Sequence, residues 1–152
     1  LDIHAGGADL AFPHHAYEAA QAEAATGVAP FARSWMRVGT VRIGGDKMAK
    51  STGNLVLVSD LLKEHRGAAL RLMILDRRWW EAWDFEPGLL TAAEGRLDAL
   101  HAAAGRRSDD DAAEVEVMRL LLDDIDVPSA TAVALESGGR AARVLVQVLG
   151  LS

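Results

Sequence analysis

From Leu61 onward one signal repeats along the chain: apolar residues at helical spacing, in segments cut by short polar or glycine-containing breaks. It predicts helices over 61–66, 68–78, 89–104, 112–125, 129–135 and 140–149. It also confines this part to a helical bundle, because an amphipathic helix must bury its apolar stripe against another element. The break Arg106-Arg107-Ser108-Asp109-Asp110-Asp111 is polar and charged between two periodic stretches, so 106–111 is expected to be a linker.

The first sixty residues carry a different signal. Leu1-Asp2-Ile3 has the character of a buried strand, Gly6-Gly7 is expected to turn the chain, and Pro13 to start a helix over 14–26 that Gly27 ends ahead of Pro30. Residues 34–43, rich in Trp, Val, Thr and Ile, predict a strand, Gly44-Gly45-Asp46 a turn and 47–54 a loop. The apolar run Leu55-Val56-Leu57-Val58 follows, with Ser59 as the expected cap of a helix starting at Asp60. The fold class is therefore α/β leading into an α-helical bundle. A chain of 152 residues has room for one modest core, or for half of a larger domain plus a small helical one.

Half the residues are hydrophobic, yet no apolar run approaches the roughly 18 residues of a membrane span. The chain does not begin with Met, and a strand at its start needs neighbours, so upstream sequence is expected. Cysteine is absent, which excludes disulfides and thiolate metal sites within this chain; cytoplasm is the default location. The net charge of −6 conceals an asymmetry. Between Arg33 and Arg78 there are ten Lys/Arg and four Asp/Glu, whereas from Glu81 to Glu136 fourteen acidic side chains face four basic ones. The basic stretch could meet a polyanion such as ATP phosphates or a tRNA backbone, or could be ordinary solvated charge.

Two constellations carry chemistry. The first packs His4, Gly6, Gly7, Asp9, Pro13, His14, His15 and Glu18 into a short segment. His14 and Glu18 are four apart on the predicted helix, so they share a face and could hold one zinc ion with ligands from elsewhere; the same spacing also makes an ordinary surface pair. The second is Lys47-Met48-Ala49-Lys50-Ser51, followed by Gly53-Asn54. Two lysines three apart on a loop bounded by Gly45 and Gly53 can bring ammonium groups to a triphosphate as its bond breaks, or can be an exposed basic loop.

Taken together, HAGGADLAFPHH and, about thirty residues on, KMAKSTGN resemble the cysteinyl-tRNA synthetases, a class I group with an HGGG-D-FPHHE-type motif and a KMSKS loop. The similarity is clear to about residue 85 and fainter through Asp123-Asp124-Ile125-Asp126-Val127-Pro128. The resemblance implies that 1–58 are the C-terminal part of a Rossmann-type catalytic domain, 59–105 a helical stem-contact-like region, and 112–152 C-terminal helices. It implies a ligase that joins cysteine to ATP as cysteinyl-adenylate, with magnesium accompanying the nucleotide, and passes cysteine to tRNA. His14 and Glu18 match family zinc ligands, two cysteine ligands and the HIGH signature being expected in an N-terminal half outside this chain. Gly7, Ala8, Asp9 and Val41 would bind the adenylate, Lys47 and Lys50 would stabilise pyrophosphate, and His4 would line the amino-acid pocket.

A related ligase of the mycothiol pathway makes the same adenylate and passes cysteine to the amine of glucosaminyl-inositol. Gly53-Asn54-Leu55-Val56 with Val58-Ser59 resembles it, while Glu18 resembles the synthetase. The chain departs from the synthetase pattern at Ala5, Ala8 and Ala49, at Arg37-Val38 where His-Asn precedes Gly39, and at Ala16-Tyr17 where Glu-Asn is usual. These departures fit a divergent paralogue, and the cysteine ligands and HIGH element missing from this chain keep open a truncated, non-catalytic one that binds nucleotide, tRNA or a protein. Trp79, Trp80, Trp83 and Phe85 are expected to pack between helices rather than stack on bases, and His65 and His101 to be surface or packing positions.

Overall fold

A computed structural model describes residues 1–108 and 110–152; Asp109, in the expected linker, lies outside them. Two compact units form, one from 1–53 and 79–85, the other from 54–78 and 86–152. Among the described residues no helix is long and apolar enough to cross a membrane.

The first unit begins with β1 (Ile3–Gly7), which pairs in parallel with β2 (Ser34–Val38) in a register that sets His4 beside Trp35. Parallel neighbours need a crossover, and α1 (Ala16–Thr26) lies within it. Gly6 and Gly7 therefore stand in the strand, not in a turn. Their value is closeness, since a Cβ on Gly6 would lie 2.6 Å from Nε2 of His15. The chain leaves β1 through helical turns at Ala8–Leu10 and Ala11–His15, broken at Phe12 by extended backbone, so the regular helix starts at Ala16 rather than at residue 14. Gly27 ends it in the left-handed conformation, as expected.

The single strand expected over 34–43 is two strands. After β2, Gly39 and Thr40 carry the chain into β3 (Val41–Ile43), which forms a hairpin with β4 (Asp46–Lys47) across Gly44-Gly45. Both glycines have positive φ, 59° and 85°, the mirror-image turn that suits the twist of a two-residue hairpin. On its other edge β3 pairs in parallel with β5 (Trp83–Asp84). The aromatic segment thus differs from the helix-packing expectation: 79–85 belongs to the first unit, with Trp83 in a strand and the Trp79 and Trp80 rings edge to face at 5.3 Å.

The second unit is helical. It contains α2 (Val58–Leu61), α3 (Gly67–Leu75), α4 (Pro87–Gly105), α5 (Asp111–Leu122), α6 (Val127–Ser137) and α7 (Gly139–Val148). On α4 the buried residues Leu90, Ala93, Leu97 and Leu100 recur at helical spacing, and they meet Leu72, Val117, Val127, Leu145 and Leu151 in one core. The expected helix over 61–66 is replaced by α2, which lies upstream, shares only Leu61 with it and has Leu57 rather than Ser59 at its N-cap position. Between α4 and α5, Arg106 donates to the carbonyls of Leu135 and Glu136 at the end of α6, and the Asp110 carboxylate caps α5 by accepting from Ala113 N. Gly138, with φ of 65°, leaves room for that arginine. His65 and His101 are packing positions, His65 Nδ1 lying 3.2 Å from Glu94 and His101 Nε2 2.9 Å from the Leu151 carbonyl.

Candidate functional site

The nine residues to which the resemblance gives a site role all lie in the first unit, and the structure gathers them into two groups. The first group forms where β1 meets α1. His4 projects from β1 into a box of rings, 5.0 Å from His15, 4.8 Å from Trp35 and 5.4 Å from Phe31 by centroid. Glu18, one turn into α1, reaches back to this box. One carboxylate oxygen lies 3.1 Å from His4 Nε2 and the other 3.6 Å from His14 Nε2. The 3.1 Å approach has ion-pair distance without hydrogen-bond alignment, so among the described residues that buried oxygen of Glu18 has no hydrogen-bond partner. Nδ1 of His15 is in the same state, in a side chain only 2% exposed.

In the sequence, spacing pairs Glu18 with His14 alone. The structure brings His4 and His15 to it as well, with one donor atom from each of His4, His15 and Glu18 within 4.8 Å of the others, while His14 is exposed. Ligand atoms at about 2.0–2.1 Å from one zinc ion stand roughly 3.3 Å apart, close to the 3.1 Å between Glu18 and His4, with the His15 donor inside the same 4.8 Å group. Buried polar atoms without partners and nitrogen and oxygen donors at this spacing fit a cation. His15 was legible only as half of a His-His doublet; nothing in the sequence said which of the two would turn inward.

The second group forms around the hairpin. Gly7 ends β1, Ala8 and Asp9 begin the following turn, and Asp9 accepts a hydrogen bond from Nζ of Lys47 at the end of β4. That hydrogen bond holds the Asp9 carboxyl below the ordinary value of 3.8. The Val41 carbonyl accepts from Met48 N at 3.0 Å, which fastens the start of the lysine loop to β3. Lys50 is exposed in the short helical turn Lys50–Thr52 that Gly53 closes with φ of 69°. An aspartate and a backbone turn thus stand beside one lysine, with a second lysine three residues on, an arrangement able to grip a nucleotide and neutralise its phosphates.

The basic stretch is largely spoken for. Arg33 pairs with Asp2, Lys63 with Asp60, Arg66 with Asp98 and Arg78 with Asp126, and Arg77 donates twice to the Met73 carbonyl. Burial pulls the Arg77 guanidinium below its ordinary value.

Residues 1–95 match the family described as tRNA synthetases class I (C) catalytic domain. Among curated proteins, the chain is 45% identical over 135 residues to the L-cysteine:1D-myo-inositol 2-amino-2-deoxy-alpha-D-glucopyranoside ligase of Frankia casuarinae, covering 87% of this chain and 29% of that protein. For the ligase of the same name from Acidothermus cellulolyticus the identity is 46% over 135 residues, covering 87% and 33%. The cysteine–tRNA ligase of Parvibaculum lavamentivorans is 41% identical over 147 residues, 93% of this chain and 31% of that protein. The chain therefore spans about a third of the length of these relatives. A solved structure, the LeuRS-tRNA-LeuAMS ternary complex of Agrobacterium radiobacter K84, superposes with a TM-score of 0.64 at 19% identity, over 99% of this chain and 26% of that one. That likeness shows a class I synthetase fold of mixed helices and small sheets.

Proposed function

Because the chain belongs to the class I tRNA synthetase family through its type C catalytic domain, we propose that the protein containing it is an ATP-dependent cysteine ligase that forms cysteinyl-adenylate. On this reading the first unit is the C-terminal part of a Rossmann-type catalytic domain carrying the lysine loop. The second holds a stem-contact-like region followed by C-terminal helices, with 79–85 returned to the first. The observation that carries the proposal is the pairing of Lys47 with Asp9. It sets a loop lysine against a residue assigned to the adenylate, where the amino-acid carboxylate would attack the α-phosphate of ATP and pyrophosphate would leave.

Charge grows on the departing pyrophosphate, and the ammonium groups of Lys47 and Lys50 stabilise it. Gly7, Ala8, Asp9 and Val41 hold the adenylate, and His4 lines the pocket for cysteine. Zinc, when bound, supplies a soft acceptor for the substrate thiolate. Glu18 would hold it together with two ligands from outside this chain, with His14 as the resemblance assigns and with His4 and His15 as the other donors beside that carboxylate.

Two acceptors fit this chemistry, tRNA and the amine of glucosaminyl-inositol. The tRNA reading follows the synthetase motifs. Two observations favour the amino sugar: the identities of 45% and 46% to ligases named for it, against 41% to the tRNA ligase, and the engagement of Arg77 and Arg78 within the helical unit. A tRNA needs many phosphate contacts, and these arginines already have partners.

Cysteine-dependent exchange of pyrophosphate into ATP by the whole protein tests the activation step. Lys50→Ala should slow it by on the order of a hundredfold with cysteine affinity unmoved. Absence of cysteine-dependent exchange in the parent would overturn the reading. For the acceptor, ligation of cysteine to glucosaminyl-inositol is set beside filter binding of labelled tRNA at low and physiological salt. Salt-sensitive tRNA retention without sugar ligation selects tRNA; ligation without retention selects the amino sugar.

A further inference from the structure

The lysine loop leaves a hairpin that has little to hold it. β4 is two residues long, and its ladder with β3 consists of the pairs Arg42–Lys47 and Ile43–Asp46. Lys47 is therefore one of only two residues that anchor its own strand. In a two-residue mirror-image turn the ladder uses the groups of the flanking residues and leaves the N–H groups of the two central ones outward. For Gly45 that outward N–H has a protein partner: it donates to Oδ1 of Asp84 at 2.6 Å, across 39 residues of sequence. Gly45 is exposed, so water could satisfy its N–H equally well. The carboxylate does what water cannot, because it belongs to a strand fixed on the far edge of β3.

Asp84 is itself held from behind. β5 is tied to β3 by Trp83 N donating to the Thr40 carbonyl at 3.1 Å and Phe85 N to the Arg42 carbonyl at 2.7 Å. Gly39 N donates to the Trp79 carbonyl at 2.9 Å, and a Cβ on Gly39 would lie 2.7 Å from the Ala82 nitrogen. Only glycine lets the segment come this close. From 79–85, through Asp84, to the Gly44-Gly45 turn and on to Lys47 there is thus a continuous chain of backbone and carboxylate contacts.

We infer that Asp84 is a positioning residue for the lysine loop: its carboxylate holds the Gly45 end of the hairpin and thereby sets Lys47 where it meets Asp9 and the nucleotide phosphates. This rests on the cysteine-ligase reading for what Lys47 does, and on the hydrogen bonds alone for what Asp84 holds. A charge-assisted bond to a backbone N–H is roughly twice as strong as a neutral one. Asparagine at 84 keeps an acceptor oxygen in the same place, whereas alanine removes it.

The test uses Asp84→Ala and Asp84→Asn in the whole protein, with two readouts. Amide hydrogen exchange needs no activity: in Asp84→Ala the Gly45 and Met48 amides should exchange about tenfold faster, and in Asp84→Asn stay near the parent. In cysteine-dependent pyrophosphate exchange, Asp84→Ala should lower kcat about tenfold, leave KM for cysteine unchanged, be largely rescued by Asp84→Asn, and cost little further in a Lys47→Ala background. Unchanged Gly45 and Met48 exchange in Asp84→Ala overturns the inference, as does a kcat loss of the same size with Lys47 already removed. A parent without cysteine-dependent exchange sinks the ligase reading instead, and the amide result still decides whether Asp84 holds the loop.

Discussion

Gly39 is the point at which a single methyl group should do the most damage. An alanine Cβ there would meet backbone, 2.7 Å from the Ala82 nitrogen and nearer still to the Glu81 carbonyl, with no flexible side chain able to swing away. The 79–85 segment must retreat, and its retreat breaks Gly39 N to Trp79 O, Trp83 N to Thr40 O and Phe85 N to Arg42 O. At about 0.5–1.5 kcal/mol net for each bond, Gly39→Ala should destabilise this part of the first unit by roughly 2–4 kcal/mol. Gly95→Ala is the control, since nothing lies within 4 Å of a Cβ built there, in the middle of α4. That change should stabilise by about 0.5–1 kcal/mol through helix propensity alone. Urea unfolding gives the size of each effect, and amide exchange at Trp83 and Phe85 locates it. If Gly39→Ala unfolds at the parent midpoint with those two amides still protected, the close approach is not what builds β5.

Two further outcomes follow from individual side chains. Asp126 caps α6, accepting from Ser129 N at 3.2 Å and from the Ser129 hydroxyl at 2.8 Å, and it faces Arg78, so Asp126→Ala should cost about 1–2 kcal/mol in urea unfolding; a change under a few tenths would remove the cap from the account. Asp9 has a depressed folded pKa because Lys47 donates to it, so its contribution is present above the ordinary carboxyl value of 3.8 and is lost as pH falls through the lower folded value. An NMR titration should place the Asp9 midpoint below 3.8 and Lys47→Met should return it there, whereas an Asp9 midpoint indifferent to Lys47 contradicts the pairing.

Helical segments were legible because their signal is periodic and local. Leu90, Ala93, Leu97 and Leu100 state the buried face of α4 in sequence order, and Gly27 states the end of α1. The motif residues were legible as chemistry, and His14 with Glu18 as geometry, because one turn of helix fixes their separation. What stayed hidden depends on contacts between distant segments. Trp79-Trp80-Glu81-Ala82-Trp83 has the composition of a packed helix end, and its close approach to Gly39 leads instead into the short strand β5 beside β3. His4 joins Glu18 across 14 residues of sequence, beside Gly6, where a Cβ would strike the His15 ring.

The lysine loop, likewise, is identifiable from sequence, but its orientation is not. Lys47 and Lys50 identify themselves by spacing, whereas the direction in which Lys47 reaches is set by Asp9, 38 residues earlier, and by Asp84, 37 residues later through Gly45. Neither carboxylate belongs to the loop, and each comes from an element whose own position depends on a glycine: Gly7 before Asp9, where a Cβ would crowd the Asp9 carboxylate, and Gly39 behind β5. Glycines carry no charge and no periodicity, so Gly7 is read from sequence as part of a motif and Gly39 as part of a strand, and neither is read as a point of close approach. Yet they decide which charged groups can meet. The loop's chemistry resides in its lysines, and its aim resides in two glycines and two aspartates outside it.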